Sequence, residues 1–277
     1  MTSTLADRVG ISTISFRFRP LTEALQIIQG LGATEIDLGA IPAVTDHVPV
    51  PFAGDPAEYV AALAGHGLRA GAVNADVGDL NDPALDQATL RQVTQPLIDL
   101  AAATGAALIV PAGRADHAAI VSEDADLDRI AANLEAISQW CAASGVRLLV
   151  EVLHHRRYIH TVAEADRLLA RLGPQSIGLL LDVSHVVASG EDVVAWSSAV
   201  VDRVERVHLR DAVPGDLNLG IGRGDVDFAA TIQALEAGGF TGSYILELET
   251  HDVAEADREA DADRSRSLVI DLLEGTR

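Results

Sequence analysis

The chain is predicted to fold as a single-domain α/β protein, a (β/α)8 barrel spanning residues 1–277, and three observations predict it. Eight short apolar runs alternate with eight stretches of helical periodicity, with turn signals between them, an order that calls for parallel strands joined by helices. The 277 residues, 48% of them hydrophobic, match the roughly 250 residues that such a barrel uses as one domain. Four successive runs in the C-terminal half each deliver an acid or an imidazole near their C-terminal ends, where a parallel barrel keeps its chemistry.

The first unit is a strand over Gly10 to Phe16 followed by a helix whose Leu21, Ala24, Leu25, Ile28 and Leu31 recur at helical spacing until Gly32. Glu35 to Gly39 reads as the second strand, and the long loop from Ile41 to Gly54 as part of a lid over the barrel mouth. Asp55-Pro-Ala-Glu58 supplies a cap, a proline at the first helical position and a glutamate three after the cap, and opens a helix to Gly65 or Gly67. Leu68 to Val77 is the third strand. Asp82-Pro83 is expected to open the next helix in the same way, running to Thr104-Gly105 with a kink or break at Pro96. Ala107 to Gly113 is the fourth strand, and a helix from about Asp124 to Ser144 carries Leu127, Ile130, Leu134, Ile137 and Cys141 on one stripe.

Strand five is Arg147 to Val152, after which Thr161-Val-Ala-Glu164 is a capping box for a helix that stops at Gly173-Pro174. Ile177 to His185 is the sixth strand stretch, Val193 to Val201 its helix, Val204 to Leu209 strand seven and Phe228 to Ala237 the next helix. Ser243 to Leu248 is strand eight, and Ala254 to Leu273 a terminal helix whose charge-rich tract from Glu255 to Arg264 reads as a solvated face.

A formal charge of −21 opposes nucleic-acid backbones and anionic membrane surfaces as partners. No run of 18 apolar residues occurs and the N-terminus lacks signal-peptide character, so a soluble, cytoplasmic protein is expected. Cys141 is the only cysteine and reads as buried filler. All 20 basic residues are arginine, which excludes Schiff-base, lysine-anchored pyridoxal phosphate and P-loop chemistry. Carbon-acid chemistry then needs another electron sink, for which a divalent metal is the natural candidate.

Glu151, Asp182, His208 and Glu247 offer three carboxylates and one imidazole, a hard donor set suited to one Mn²⁺, Mg²⁺ or Co²⁺ ion. A buried carboxylate without a partner is strongly disfavoured, so four polar intrusions on adjacent strands are expected to compensate one another through a cation. Strands five and eight stand three apart, which sets Glu151 and Glu247 across the mouth from each other as an acid and base pair for epimerisation or isomerisation. Glu249 and His251 share the inward parity of Glu247, which is preferred because it lies deeper in the apolar run. Of the adjacent His154 and His155, at most one points inward. Gly220-Ile-Gly-Arg-Gly224 reads as a tight loop, because the spacing of the dinucleotide pattern is missing.

With its trailing His154-His155, Glu151 joins Asp182-Val-Ser-His185, His208-Leu-Arg-Asp211, the glycine-rich Gly220 to Asp225 segment and Gly242-Ser-Tyr-Ile-Leu-Glu247 in a set of motifs. Through these the C-terminal half resembles the xylose-isomerase-like TIM-barrel superfamily of sugar isomerases and epimerases. That superfamily also contains inosose and dehydroshikimate dehydratases and the endonuclease IV type of repair enzyme. The resemblance implies that Glu151, Asp182, His208 and Glu247 ligate one divalent metal, that Glu151 and Glu247 double as acid and base through an enediolate, and that His185 touches a substrate oxygen. The expected partner is a small carbohydrate or polyol-derived substrate, and a homo-oligomer is compatible with the sequence. Arg157 stands where ketose 3-epimerases carry a second glutamate, and Pro214 where they carry an arginine. Arg210, with Arg157 and Arg223, is expected to favour a substrate bearing phosphate or carboxylate. The alternative activity is a dehydratase of an inosose or cyclic keto acid, and a further alternative is a metal-binding barrel without catalysis.

Overall fold

The computed structural model describes residues 4–276. Strands β1 (Val9–Ser12), β2 (Glu35–Ala40), β3 (Arg69–Ala75), β4 (Ala107–Pro111), β5 (Leu148–Glu151), β6 (Gly178–Asp182) and β7 (Val204–Leu209) pair in parallel with their neighbours in that order. A short antiparallel ribbon, β8 (Asp211–Val213) and β9 (Asp216–Leu219), follows, and β10 (Ser243–Leu246) pairs with both β7 and β1 to close the barrel. Helices α1 (Leu21–Gly30), α2 (Pro56–Gly65), α3 (Gln87–Thr104), α4 (Glu123–Ala143), α5 (Val162–Leu169), α6 (Val183–Ala188), α7 (Val193–Val200), α8 (Phe228–Ala237) and α9 (Arg258–Gly275) surround it. The expected closed barrel in one domain is the observed fold.

Strands covered on both faces read as continuous apolar runs, and every residue of β1, β2, β5 and β6 is buried. The large core lies between the strands and the helices, whereas the barrel interior holds only a small apolar layer of Ala72, Ile109, Leu149 and Leu180. A charged layer shares the lumen with it. Glu35 and Asp37 of β2 face Arg206 of β7, which stands three strands away around the barrel, at 2.6 Å each. Gly71 makes room for this layer: a Cβ there would collide with the Arg206 guanidinium and the Glu35 carboxylate.

Several local boundaries differ from those expected. The first strand ends at Ser12, because the Ser12 hydroxyl accepts from the Ile14 N–H and turns Thr13–Phe16 into a 3₁₀ helix. Asp82 closes an isolated turn by accepting from the Ala84 N–H, and α3 begins only after Asp86 caps it through the Thr89 N–H. Pro96 lies inside α3 without interrupting it. The sixth strand stops at Asp182, whose side chain accepts from the Ser184 N–H and so caps α6, which carries His185. The terminal charged tract is only partly solvated. Arg258 is buried, donating to the Leu248 and Thr250 carbonyls, and Asp261 is buried beside Arg264. The ribbon β8–β9 was not anticipated, since runs of three and four residues are too short to show an alternating pattern.

Candidate active site at the barrel mouth

The C-terminal strand ends bring the four predicted ligands to one level. Glu151 ends β5 and Asp182 ends β6, and in the ladder Asp182 stands beside His208 of β7. Glu247 is the first residue past β10, yet its N–H still bonds the Leu209 carbonyl at 3.1 Å. Ser15 pins its flanks, accepting from the Leu248 N–H and donating to the Leu246 carbonyl. All four side chains are buried. Glu151 and Glu247 line a cavity of about 240 Å³, whereas Asp182 and His208 do not reach its wall and stand beside Glu247 behind it. The expected lid loop contributes Ile41, Pro42 and Val44 to its wall, and the ribbon contributes Leu217 and Asn218.

Asp182, His208 and Glu247 each present a donor atom within 4.8 Å of the other two. Glu151 groups within the same distance with His154 and His185 instead, and its Oε1 lies 3.6 Å from His185 Nε2. The two groups meet at Arg210. Its Nη2 donates to Asp182 Oδ2 at 2.8 Å and lies 3.4 Å from Glu247 Oε2 and 2.9 Å from His185 Nε2, while Nη1 donates to Glu249 at 3.0 Å. Ser184 donates to Asp182 Oδ1 at 2.6 Å and Asn74 to Glu247 Oε1 at 3.0 Å, so each carboxylate is oriented by a neutral donor as well as by charge.

The electrostatics follow from burying several acids together. Burial and the neighbouring Asp182 and Glu247 push the Glu151 carboxyl up to about 8. Burial works against a charged His208, but Glu247 and Asp37 overcome it and raise the imidazole to about 10. For Asp182 burial is outweighed by Arg210, His208 and Ser184, which hold it below the usual carboxylate range. His154 and His185 are held well below the usual imidazole range, first by burial and then by adjacent positive groups, so both rings are neutral. They stack with centroids 3.7 Å apart.

These residues fit a hard divalent cation. The fully buried His208 Nδ1 lies 3.3 Å from Glu247 Oε1 without making a hydrogen bond, so this nitrogen is available to a cation that displaces its proton. Three carboxylates and an imidazole are an oxygen-rich donor set for Mn²⁺, Mg²⁺ or Co²⁺.

The structure does not bring every predicted residue to the cavity. Arg223, expected at the substrate, bonds the Asp252 carbonyl and carboxylate and lies outside the cavity wall. The cause is Asp211, a buried acid whose two oxygens collect the N–H groups of Ala212, Gly222, Arg223, Gly224 and Val226 and wrap the glycine-rich segment around it. Arg157 and Arg210 do line the cavity, but Arg157 is paired with Asp76 and Arg210 with Asp182 and Glu249, so neither is a vacant anion site. His154 faces the cavity while His155 turns to Ser189, and His251 is exposed beside Asp216. Sequence reasoning gave no role to Asn74, Asp76 or Asp37. The signal for Asp37 was present: Glu35 and Asp37 share one parity in an otherwise apolar strand.

Fold and site together define a parallel (β/α)8 barrel with a candidate metal centre at its mouth. Residues 25–271 match the family described as xylose isomerase-like TIM barrel, and the chain belongs to that family. It is 28% identical over 149 residues to an inosose dehydratase of Geobacillus thermodenitrificans, a match covering 47% of this chain and 49% of that protein. The chain thus spans about half the length of the curated relatives it matches. Among solved structures, an L-ribulose 3-epimerase superposes with a TM-score of 0.79 at 20% identity, covering 98% of this chain and 95% of that one. The IolI protein with a bound zinc atom superposes with a TM-score of 0.77 at 16% identity, covering 98% and 99%. At these identities the structural likenesses show a shared fold.

Proposed function

We propose that the protein is a cytoplasmic, divalent-metal-dependent isomerase or epimerase of a small sugar or sugar derivative, with Glu151 and Glu247 as its acid and base pair. The observation that carries this reading is the placement of two buried glutamates at the ends of strands three apart, both lining one small cavity, with Asp182 and His208 grouped beside Glu247. The cavity of about 240 Å³ lies below the roughly 300–1,000 Å³ of sites for drug-sized ligands and suits a molecule of monosaccharide size.

Asp182, His208, Glu247 and Glu151 would hold the metal, which when bound supplies Lewis-acid polarisation of the substrate carbonyl. Glu151 takes the proton from the carbon beside that carbonyl, and Glu247 returns one from the opposite side. Neutral His185 offers a ring nitrogen to a substrate oxygen. The Arg157–Asp76 pair meets hydroxyls at the outer wall. Return of the proton to the same carbon is epimerisation, and to the neighbouring carbon isomerisation.

A dehydratase acting on an inosose is the second reading, favoured by the names of the sequence relatives. It shares the proton abstraction and then expels a β-hydroxyl. The two are separated by incubating the metal-loaded protein in D₂O with ketoses and with inososes. Deuterium beside the carbonyl in an isomerised or epimerised product supports the first reading. A product lighter by one water supports the second, and absence of both exchange and conversion leaves a metal-binding barrel without catalysis.

A further inference from the structure

We propose that Asp37 is a positioning residue for the candidate metal centre, acting through His208, and that Arg206 holds it in that role. The inference rests on reading Asp182, His208 and Glu247 as metal ligands. Asp37 lies on β2, away from the cavity wall, and its Oδ2 is 2.8 Å from His208 Nε2 with both residues fully buried. That contact puts the Nε2 proton on the side of Asp37 and turns Nδ1 toward Glu247. A metal-bound histidine is commonly tied in this way by its second nitrogen to a carboxylate, which fixes the tautomer, prevents ring rotation and raises the basicity of the ligating nitrogen.

The carboxylate is itself constrained from below. Arg206 Nε donates to Asp37 Oδ2 at 2.8 Å, Nη2 lies 2.6 Å from Oδ1, and Nη1 lies 2.6 Å from Glu35. Charges therefore alternate through the lumen from Glu35 to Arg206 to Asp37 to His208. The guanidinium reaches across the barrel only because Gly71 has no side chain. Glu35 touches neither Asp37 nor His208 in this chain of contacts, so it serves as an internal control.

The test uses EDTA-stripped protein titrated with Co²⁺, read by calorimetry and by the visible absorption of the bound ion, with folding checked by circular dichroism. Asp37→Asn is expected to weaken Co²⁺ binding by about 10- to 100-fold and to shift the absorption band. Glu35→Gln is expected to lower the melting temperature while leaving Co²⁺ affinity within about twofold of the parent on the same argument. If Asp37→Asn does not fold, Arg206→Lys replaces it. This keeps the charge but loses the fork that grips Asp37, and the same band shift and a weaker affinity are expected. Parent-like affinity and spectrum in a folded Asp37→Asn or Arg206→Lys variant overturn the proposal. A parent protein that takes up no Co²⁺ overturns the metal reading, and this inference with it.

Discussion

At the scale of single residues, the site is a concentration of negative charge that this fold tolerates only through exact local pairing. Asp182 accepts from Ser184 twice and from Arg210, and it stands beside His208 in the ladder, so it is both a candidate ligand and the cap of α6. Asp182→Ala is expected to abolish metal uptake, measured as metal per chain by elemental analysis, whereas an exposed polar rim would leave uptake unchanged. Asp182→Asn, which keeps the cap, separates loss of the ligand from loss of the helix start. Glu247→Gln keeps the Asn74 contact available through its amide oxygen but removes one base. Proton exchange beside the carbonyl should then persist while conversion falls by about 10²- to 10⁴-fold, as followed by deuterium incorporation. Equal conversion by both Glu→Gln variants would move the acid–base role to His185 or Glu249.

At the scale of elements, the short pieces between strands decide what reaches the cavity. The ribbon β8–β9 and the glycine-rich segment are organised by Asp211, whose five N–H contacts explain why an acid follows His208-Leu-Arg without itself facing the cavity. Gly222 has φ +87°, and a Cβ on Gly224 would strike the Ala212 carbonyl and the Asp211 carboxylate. Asp211→Ala leaves several buried donors without an acceptor and is expected to destabilise the fold by about 2–4 kcal/mol, read from denaturant midpoints. Metal stoichiometry should stay at the parent value, since Asp211 belongs to neither donor group. A simultaneous loss of metal would show that the segment props the centre directly.

At the scale of the whole molecule, protons and metal compete for the same barrel mouth. Glu151 is raised from its usual 4.5 to about 8 and His208 from 6.5 to about 10, so without metal the folded state binds these protons more tightly than the unfolded chain. Between pH 7 and 9 the unfolded chain has already released them, and the metal-free protein therefore loses stability as pH rises. The depressed Asp182 and the neutral His154 and His185 act with the opposite sign, but below this window. The melting temperature in EDTA is expected to fall from pH 7 to pH 9. Saturating Mg²⁺ should flatten that slope, because the ion replaces the protons. At a hundredfold excess over its dissociation constant the metal adds about 2.7 kcal/mol, and a chain of this size should gain several degrees. A melting temperature indifferent to Mg²⁺, Co²⁺ and EDTA would remove the metal centre. Among the described residues no helix is long and apolar enough to cross a membrane.

The sequence by itself determined the βα order, the barrel and the grouping of Glu151, Asp182, His208 and Glu247 at one end, because parallel strands carry side chains to the same face in register with a period that is legible residue by residue. It also exposed the caps at Asp55 and Thr161, which depend on neighbours within three residues. Tertiary structure decided everything that depends on closing the barrel. Arg206 meets Asp37 across the lumen, Asn74 orients Glu247 from three strands away, and Arg210 joins two donor groups whose members come from several different strand ends. It also turned Arg223 outward and Asp211 inward, contrary to the expected substrate contact at Arg223. Local pattern records which face a residue takes, but a side chain's partner is set by the curvature of the closed sheet, and that is a property of all eight strands together.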